Sequence, residues 1–406
     1  MKLYMNDILS AFSYALDCVE HDATGIASHH TKRVAYICLV LGENLGLNRL
    51  QLNDLAACAI LHDNALTQYL HEEKVSRIDM LNDKNKASAG KHCVLGENNI
   101  MRLPFNYDVS DSILFHHENS DGSGPFGKTH LETPLYAQLI HIADVIDIIF
   151  DLSVMTRAKY EKILKYLNNK RNTIVHEDIV DLFERSFDYE TLQKVQSLSI
   201  TSSLNEKLPI IHREYTLEQI GDMVEVIANV IDYKSEFTMR HSMGIAKKAV
   251  TMANYYDYDK ETTMKLYFAA AVHDIGKLVI DRDVLEKPDK LTESEHIYMQ
   301  NHAYYTYEIL KNIRGLDDII SWASLHHEKL NGKGYPFGKT AEELGFNERL
   351  MACLDIYQAL TETRPYKEGF EHDKAIWIMK DMVKNNYIDG SIVDDIEKVF
   401  ANIELS

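Results

Sequence analysis

The stretch HHENSDGSGPFGK at residues 116–128 returns at residues 326–339 as HHEKLNGKGYPFGK. The second copy has one additional residue, Tyr335, between its last-but-one glycine and its proline. Two copies of one phrase in a chain of 406 residues indicate an internal duplication. A duplication is the first feature to establish, because it determines the architecture of the whole chain.

Seven polar positions repeat along the chain at a spacing of 211 or 210 residues. The pairs are His30 and His241, His62 and His273, Asp63 and Asp274, His92 and His302, His116 and His326, His117 and His327, and Asp144 and Asp355. The spacing returns from 210 to 211 at Tyr335, so this tyrosine is an insertion or deletion relative to the other copy. We predict two related domains, at residues 1–200 and 210–406, divided near the Ser/Thr-rich segment SLSITSSLNEKLP at 197–209.

Apolar residues recur at intervals of three and four in most of the chain, as in LNDLAACAILHD and RLMACLDIYQAL. Alternating patterns bounded by turn residues are nearly absent. The chain has only seven prolines and eighteen glycines, and several of them lie in the repeated phrase. These features predict an all-α protein made of two tandem helical bundles.

Composition narrows the class of protein. The chain is 45% apolar and 26% charged, with a net charge of −19, which disfavours nonspecific binding to DNA, RNA or anionic membranes. Its five cysteines form no CxxC pair, which indicates a reducing compartment. There is no signal-like N-terminus and no apolar run long enough to span a membrane, so we expect a cytoplasmic protein.

Each half carries five histidines and two aspartates in the same order. Imidazole and carboxylate are ligands that Mn, Fe, Ni and Zn accept, and seven ligands exceed what one ion needs. An adjacent His-Asp pair on a helix, as in AAAVHDIGK, directs two ligands into one cavity. A single helical histidine is more often an ordinary core or surface residue, but a set repeated in register favours two metals holding a hydroxide for a phosphoester displacement.

Three motifs of the second half carry a family resemblance: HDIGK (273–277), HHEKLNGKGYP (326–336) and LDIYQALTETRPYK (354–367). Together they resemble the HD-superfamily phosphohydrolases of the HD-GYP type. The resemblance covers essentially all of the second half and, in degenerate form, the first. Members of this family are all-helical and hydrolyse cyclic dinucleotides, chiefly cyclic di-GMP and in some cases 3′,3′-cyclic GMP-AMP.

The resemblance implies a role for each matching residue. One divalent metal (Fe, Mn, Ni or Mg) would be held by His241, His273, Asp274 and Asp355, and a second by Asp274, His302, His326 and His327. Asp274 and Lys277 would be catalytic, with Lys277 contacting the scissile phosphate. The substrate's phosphates and bases would meet Arg364 and Lys367, and Tyr335 would lie at the mouth of the site.

Three positions depart from the family pattern. The acidic residue that supplies a third metal in some members is replaced by Phe237, with Glu236 out of phase, which favours two metals. Asn331 stands where the family loop usually has aspartate. Gln358 also replaces an aspartate; its amide can both donate and accept, so it could pair with adenine and favour cyclic GMP-AMP, or it could simply cap or solvate its helix.

The first half keeps all seven ligand-type residues but has lost other parts of the motifs. HDIGK becomes HDNAL, so Leu66 replaces the phosphate-contacting lysine, and Ser153 corresponds in register to Arg364. Because charge stabilisation is a large part of phosphoryl transfer, we expect poor turnover here. The half could be a metal-containing scaffold, a nucleotide-binding regulator, or an enzyme for another phosphoester. We favour the first two, since metal bound by the retained ligands would contribute free energy to folding.

We therefore predict a metal-dependent phosphodiesterase that opens a cyclic dinucleotide to its linear form in the second half. Two alternatives are a sensor that binds the dinucleotide without cleaving it and an HD phosphohydrolase acting on another nucleotide. A protein partner could bind the loop that contains Tyr335. The sequence leaves the metal, the oligomeric state and the upstream signal open.

Overall fold

A computed structural model describes residues 2–24, 29–66, 68–69, 86–211, 213–232, 241–287, 289–363 and 368–401. Helices dominate this part of the chain. Its only strands are β1 (Lys2–Leu3) and β2 (Arg213–Glu214), which pair with each other. The predicted all-α class is confirmed.

The chain divides into two compact units. The first unit comprises residues 4–213, and the second comprises residues 214–406 together with residues 1–3. The segment 197–209, near which we expected the boundary, contains a helix (Ile200–Lys207) that belongs to the first unit. The division follows that helix.

The described part of the first unit is built around one buried helix. Its α-helices are α1 (Met5–Thr24), α2 (His30–Asn44), α3 (Arg49–Ile60), α4 (Lys86–Ile100), α5 (Leu135–Phe150), α6 (Arg157–Asn169), α7 (Glu177–Ser186), α8 (Tyr189–Leu192) and α9 (Ile200–Lys207), with a 3-10 helix at Gln193–Val195. Helix α2 is buried from His30 to Gly42 and contacts α1, α3, α5, α7 and α9. Burial on all sides explains why VAYICLVLG within it is apolar around its whole circumference.

The second unit repeats this plan. Its described α-helices are α10 (Leu217–Asp232), α11 (His241–Tyr255), α12 (Lys260–Val272), α13 (Arg282–Leu285), α14 (Glu293–Leu310), α15 (Asp317–Ser324), α16 (Phe346–Thr361), α17 (His372–Lys384) and α18 (Gly390–Phe400), with a 3-10 helix at Ile275–Val279. Helix α11 corresponds in register to α2 and packs against α10, α12, α16 and α18. The two helices that lead to the site have side-chain caps at their N-termini. Asp259 accepts from the Thr262 amide at the start of α12, and Thr292 and Glu295 form a capping box at the start of α14.

The His-Asp pairs lie just past the end of a helix, whereas we predicted them on a helix. Helix α12 ends at Val272, so His273 and Asp274 form the turn into the following 3-10 helix. In the first unit α3 ends at Ile60, two residues before His62. Asp274 has φ −99° and ψ 10°, so the chain leaves α-helical geometry at the second residue of the pair.

The glycine of HDIG is required by a close approach of two helices. A Cβ atom on Gly276 would lie 1.9 Å from the carbonyl oxygen of His302 and 2.6 Å from the amide nitrogen of Thr306, both on α14. In the first unit the corresponding positions are Ala65 and Gly96, so the glycine is on the partner helix instead. The contact there is looser, since a Cβ atom on Gly96 would lie 3.8 Å from Cβ of Ala65, an ordinary van der Waals distance.

No helix in the described ranges combines the length and the apolar character needed to cross a membrane.

Candidate metal centres

The seven predicted ligands of the second unit lie in a single buried cluster with two parts. Subsite A consists of His241, His273 and Asp355, and subsite B of His302, His326 and His327; within each group the donor atoms lie within 4.8 Å of one another. Asp274 lies between them. Its Oδ2 is 3.2 Å from His273 Nε2, and its Oδ1 is 3.5 Å from His302 Nε2.

The histidine rings of this cluster are oriented by backbone carbonyls. The Nδ1–H groups of His273, His302 and His326 each donate to the carbonyl oxygen three residues earlier, at 2.6, 2.7 and 2.6 Å. Their Nε2 atoms, and Oδ1 of Asp274, are buried and have no hydrogen-bond partner. Buried acceptors are normally satisfied, and a ring that donates through Nδ1 presents its Nε2 lone pair as a ligand. The cluster therefore fits divalent cations.

The protonation states of His302, His326 and Asp274 agree with that donor set. At His241 burial alone would lower the pKa, but hydrogen bonds to Asp355 and Glu362 raise it to about 9, so that this ring would release a proton on binding a metal. Burial lowers the pKa of His302 to about 3 and that of His326 well below its usual range, so both rings are neutral at neutral pH. Burial alone would raise the pKa of the Asp274 carboxyl, but the charges of His273 and Lys277 hold it well below its usual value. Neutral imidazoles and ionised carboxylates are the forms that bind metal.

Lys277 and Tyr335 border the cluster. Lys277 is on the 3-10 helix; its Nζ lies 2.5 Å from Asp274 Oδ2, and its side chain is 21% exposed. The ring of Tyr335 lies 4.8 Å from that of His327 and 6.2 Å from that of His302, centroid to centroid. His327 is 27% exposed, more than the other rings of its subsite, so Tyr335 covers subsite B on its open side.

The first unit contains the same arrangement. Its subsite A is His30, His62 and Asp144, and its subsite B includes His92, His116 and His117. Asp63 lies between them, with Oδ2 3.5 Å from His62 Nε2 and Oδ1 3.2 Å from His92 Nε2. The Nε2 atoms of His62 and His116 and Oδ1 of Asp63 are buried and have no hydrogen-bond partner. All seven predicted positions are again brought together.

Two segments match models of the HD domain, residues 27–149 and residues 225–392. The chain carries two HD domains in tandem. The first HD domain contains all seven polar positions of the first unit's cluster, and the second HD domain contains all seven of the second.

Relatives of the tandem HD chain are known. A protein of Vibrio cholerae named 3′3′-cGAMP-specific phosphodiesterase 1 is 27% identical over 388 residues, covering 92% of this chain and 88% of that protein. A cyclic di-GMP phosphodiesterase of Pseudomonas aeruginosa is 32% identical over 142 residues, covering 35% and 34%. The crystal structure of a cyclic GMP-AMP-specific phosphodiesterase of V. cholerae superposes with a TM-score of 0.68 at 22% identity, covering 100% of this chain and 99% of that one, and so shares the fold.

Gln358 of the second HD domain does not present its amide to the site. It is 6% exposed; its Oε1 accepts from Lys248 Nζ at 2.6 Å, and its Nε2 donates to Glu362 Oε1 at 3.1 Å. Glu362 Oε2 in turn accepts from His241 Nδ1 at 2.9 Å. This arrangement does not support our interpretation that Gln358 pairs with adenine, because both ends of its amide are occupied. It places Gln358 behind His241, the first predicted metal ligand, with Glu362 between them.

The first HD domain orients its first histidine differently. Asp147, which corresponds in register to Gln358, accepts directly from His30 Nδ1 at 2.6 Å and from Arg33 Nε at 2.8 Å. The counterpart of Arg33 is Gly244, where a Cβ atom would lie 2.5 Å from Gln358 Nε2. In the second domain, the carboxylate that orients the first histidine therefore lies one helical turn later, at Glu362 instead of at position 358. The neighbouring cation is likewise one turn later, at Lys248 instead of at position 244.

The repeated phrase owes its shape to its glutamate, which our sequence analysis did not single out. Glu328 accepts from the backbone amides of Phe337 and Lys339 at 2.7 and 2.9 Å, and Glu118 accepts from those of Phe126 and Lys128 at 2.7 and 2.6 Å. Gly334 and Gly124 pass directly over these glutamates. The signal was present in the sequence, because HHE is identical in both copies.

The remaining predicted positions are of two kinds. Leu66, in place of the lysine, is buried at 2% exposure, and Ser153 is half-buried in the turn after α5. Arg364, Lys367, Glu236 and Phe237 lie outside the described residues.

Proposed function

We propose that the second HD domain is a metal-dependent phosphodiesterase that opens a cyclic dinucleotide to its linear form. The observation that carries this proposal is the pairing of Lys277 with Asp274, a carboxylate between two histidine clusters in which three buried Nε2 atoms have no hydrogen-bond partner. A protein that only binds a dinucleotide would have no use for this combination. The naming of relatives across both halves as phosphodiesterases supports it.

Two divalent ions are the proposed cofactors. Subsite A with Asp274 would hold one, and subsite B with Asp274 the other. Once bound, such ions acidify a water nucleophile and neutralise charge on the phosphodiester. The backbone carbonyls of Ala270, Met299 and Ala323 keep three of the ligating rings in the tautomer that can bind them.

Four side chains of the second HD domain would contact the substrate. Lys277 is partly exposed beside the bridging carboxylate, where its ammonium can reach a phosphate oxygen as charge develops there. Tyr335 packs on His327 and offers an aromatic face at the open side of subsite B. Arg364 and Lys367 are proposed to meet the substrate's phosphates and bases, as the family resemblance implies.

We favour 3′,3′-cyclic GMP-AMP as the substrate and cyclic di-GMP as the second candidate. The relatives that align with 92% and 79% of this chain, and so with both HD domains, are both named 3′3′-cGAMP-specific. The cyclic di-GMP enzyme of P. aeruginosa aligns with 35% of it. Gln358 contributes nothing to this choice, because its amide is engaged within the protein.

The first HD domain is proposed to hold metal with little or no turnover, as a scaffold or as a nucleotide-binding regulator. It keeps the ligand cluster, but Leu66 is apolar and buried where the second domain has Lys277. A protein partner at the Tyr335 loop stays a prediction.

The test is product analysis with both dinucleotides on the wild type, Asp274→Ala and Asp63→Ala, in the presence of Mn²⁺ or Fe²⁺. We expect a linear dinucleotide, faster from cyclic GMP-AMP, and a far greater loss of turnover in Asp274→Ala than in Asp63→Ala, its matched change. Full activity in Asp274→Ala would show that the proposed site is wrong. A greater loss in Asp63→Ala would assign catalysis to the first domain.

A further inference from the structure

Cys93 of the first HD domain lies among its subsite B histidines. It follows His92 on α4, is fully buried, and has its Sγ 3.5 Å from His92 Nε2. The donor atoms of His92, Cys93, His116 and His117 all lie within 4.8 Å of one another. Subsite B of the first domain thus has a sulfur donor in addition to its three rings.

The second HD domain has no such donor. The residue corresponding to Cys93 is Ala303, which is equally buried, while the three histidines are kept. A buried cysteine often serves only as a small apolar residue. The other buried cysteines, Cys38, Cys58 and Cys353, do so by position, since they belong to no metal-donor group among the described residues. Cys93 differs from them because its Sγ lies among the donor atoms of three histidines.

An independent feature points to a cation at this place. His116 is 0% exposed, its Nδ1–H donates to the Ile113 carbonyl at 2.6 Å, and its Nε2 has no hydrogen-bond partner. The lone pair of that nitrogen therefore faces the group that contains Cys93 without a donor to satisfy it. An unsatisfied buried acceptor is costly, and a metal ion removes the cost.

The spacing suits a particular coordination. In a tetrahedral site with Zn–S near 2.3 Å and Zn–N near 2.0–2.1 Å, neighbouring sulfur and nitrogen ligands lie about 3.5 Å apart. The distance between Cys93 Sγ and His92 Nε2 is 3.5 Å. Thiolate with imidazole is a set that zinc favours, whereas the donor groups among the described residues of the second domain contain nitrogen and oxygen.

We propose that the first HD domain binds a zinc-type divalent cation through the Cys93 thiolate together with His92, His116 and His117. The thiol proton is released to solvent as the metal binds. The two HD domains then hold chemically different metals: a thiolate-ligated ion beside Leu66 in the first, and nitrogen- and oxygen-ligated ions beside Lys277 in the second. The first ion has a structural or regulatory use, since Leu66 stands at the position that Lys277 occupies in the second domain.

The test is spectroscopic and uses the full chain produced in cobalt-supplemented medium. A cobalt–thiolate bond gives a charge-transfer band in the near ultraviolet that nitrogen and oxygen ligands do not give. We expect this band in the wild type and its loss in Cys93→Ser. Cys58→Ser is the matched control, because Cys58 is also fully buried in the first unit but belongs to no donor group there; it should keep the band.

Several results would overturn the proposal. These are a wild-type protein without the band, a band that persists in Cys93→Ser, or a band lost equally in Cys58→Ser. Cys93→Ala reproduces the residue found in the second domain and serves as a second variant if serine impairs folding; it too should lose the band and, by mass spectrometry of zinc-grown protein, one zinc per chain. Because no substrate is used, the outcome is independent of the proposed phosphodiesterase activity.

Discussion

Lys277 and Leu66 occupy corresponding positions in the two domains, but only Lys277 carries the positive charge that can stabilise a reacting phosphate. Lys277 lies 2.5 Å from the bridging carboxylate, while Leu66 is buried and apolar. Both domains keep the seven ligand-type histidines and aspartates. At this position the second domain adds a partly exposed cation, and the first adds an apolar side chain.

Replacing Lys277 by methionine should therefore lower kcat by about 10²–10³-fold, the usual cost of removing one group that stabilises developing charge. Metal content should stay at the wild-type level, measured by mass spectrometry on the same samples. Lys265→Met is the control, since Lys265 makes a surface ion pair with Asp318 in the same unit. Equal losses in the two variants would contradict a role for Lys277 at the phosphate.

Glu362 illustrates how a residue can act through another. It accepts from His241 Nδ1, and partners of metal-ligating histidines typically contribute about 10- to 100-fold in metal affinity or activity. We expect a loss of this size for Glu362→Gln, seen as a raised metal concentration at half-maximal activity and restored by excess metal. Glu342→Gln, an exposed change in the same unit, should have no effect.

Gln358→Asp separates the two interpretations of that position. The new carboxylate would stand next to Glu362, whose Oε1 is 3.1 Å from the present amide nitrogen, so two like charges would compete behind His241. We expect weaker metal binding and an unchanged ratio of kcat/KM for the two dinucleotides. A changed ratio with normal metal binding would restore the base-pairing role.

At the scale of elements, the 3-10 helix and α14 meet at Gly276 with no room for a side chain. Gly276→Ala would force these elements apart and displace Asp274 and His302 together. Overpacking typically costs about 1–3 kcal/mol, and we expect a lower Tm and loss of activity. Gly221→Ala on α10 is the control: nothing lies within 4 Å of its added Cβ, so it should stabilise by up to about 1 kcal/mol through helix propensity. A normal Tm in Gly276→Ala would contradict the close packing.

Much of this arrangement was predictable, because the duplication shows which polar residues keep register. The helical class and the grouping of all fourteen ligand-type positions followed from that register and from the apolar periodicity. Our sequence analysis missed three residues: Glu362, Lys248 and Cys93. Each lies close to side chains of other helices or turns, and the sequence alone does not show which segments come together. No pair of identical residues marks them: Glu362 matches Asp151, Lys248 matches Ile37, and Cys93 matches Ala303.

For the whole molecule, metal binding and folding are linked. A ligand at 100 times its Kd adds about 2.7 kcal/mol per site to the native state, so a chelator should lower the Tm measured by calorimetry. Bound metal needs neutral imidazoles; its stabilisation is therefore present at neutral pH and lost as the pH falls and protons compete for the rings. The difference in Tm with and without chelator should shrink on acidification. No effect of the chelator at neutral pH would mean that the clusters hold no metal.

The exchange of small residues between Ala65 and Gly96 in one domain and Gly276 and Thr306 in the other has a consequence for the gene. Two related copies in one reading frame can recombine with each other. A crossover between these positions would join Ala65 to the threonine or Gly276 to Gly96 of the other copy. In the first hybrid an alanine Cβ would stand at the position of Gly276, 1.9 Å from the carbonyl oxygen of His302, and in the second no side chain would fill the contact. We therefore expect such recombinants to fold poorly, and this contact would then help to keep the two copies diverging along separate lines.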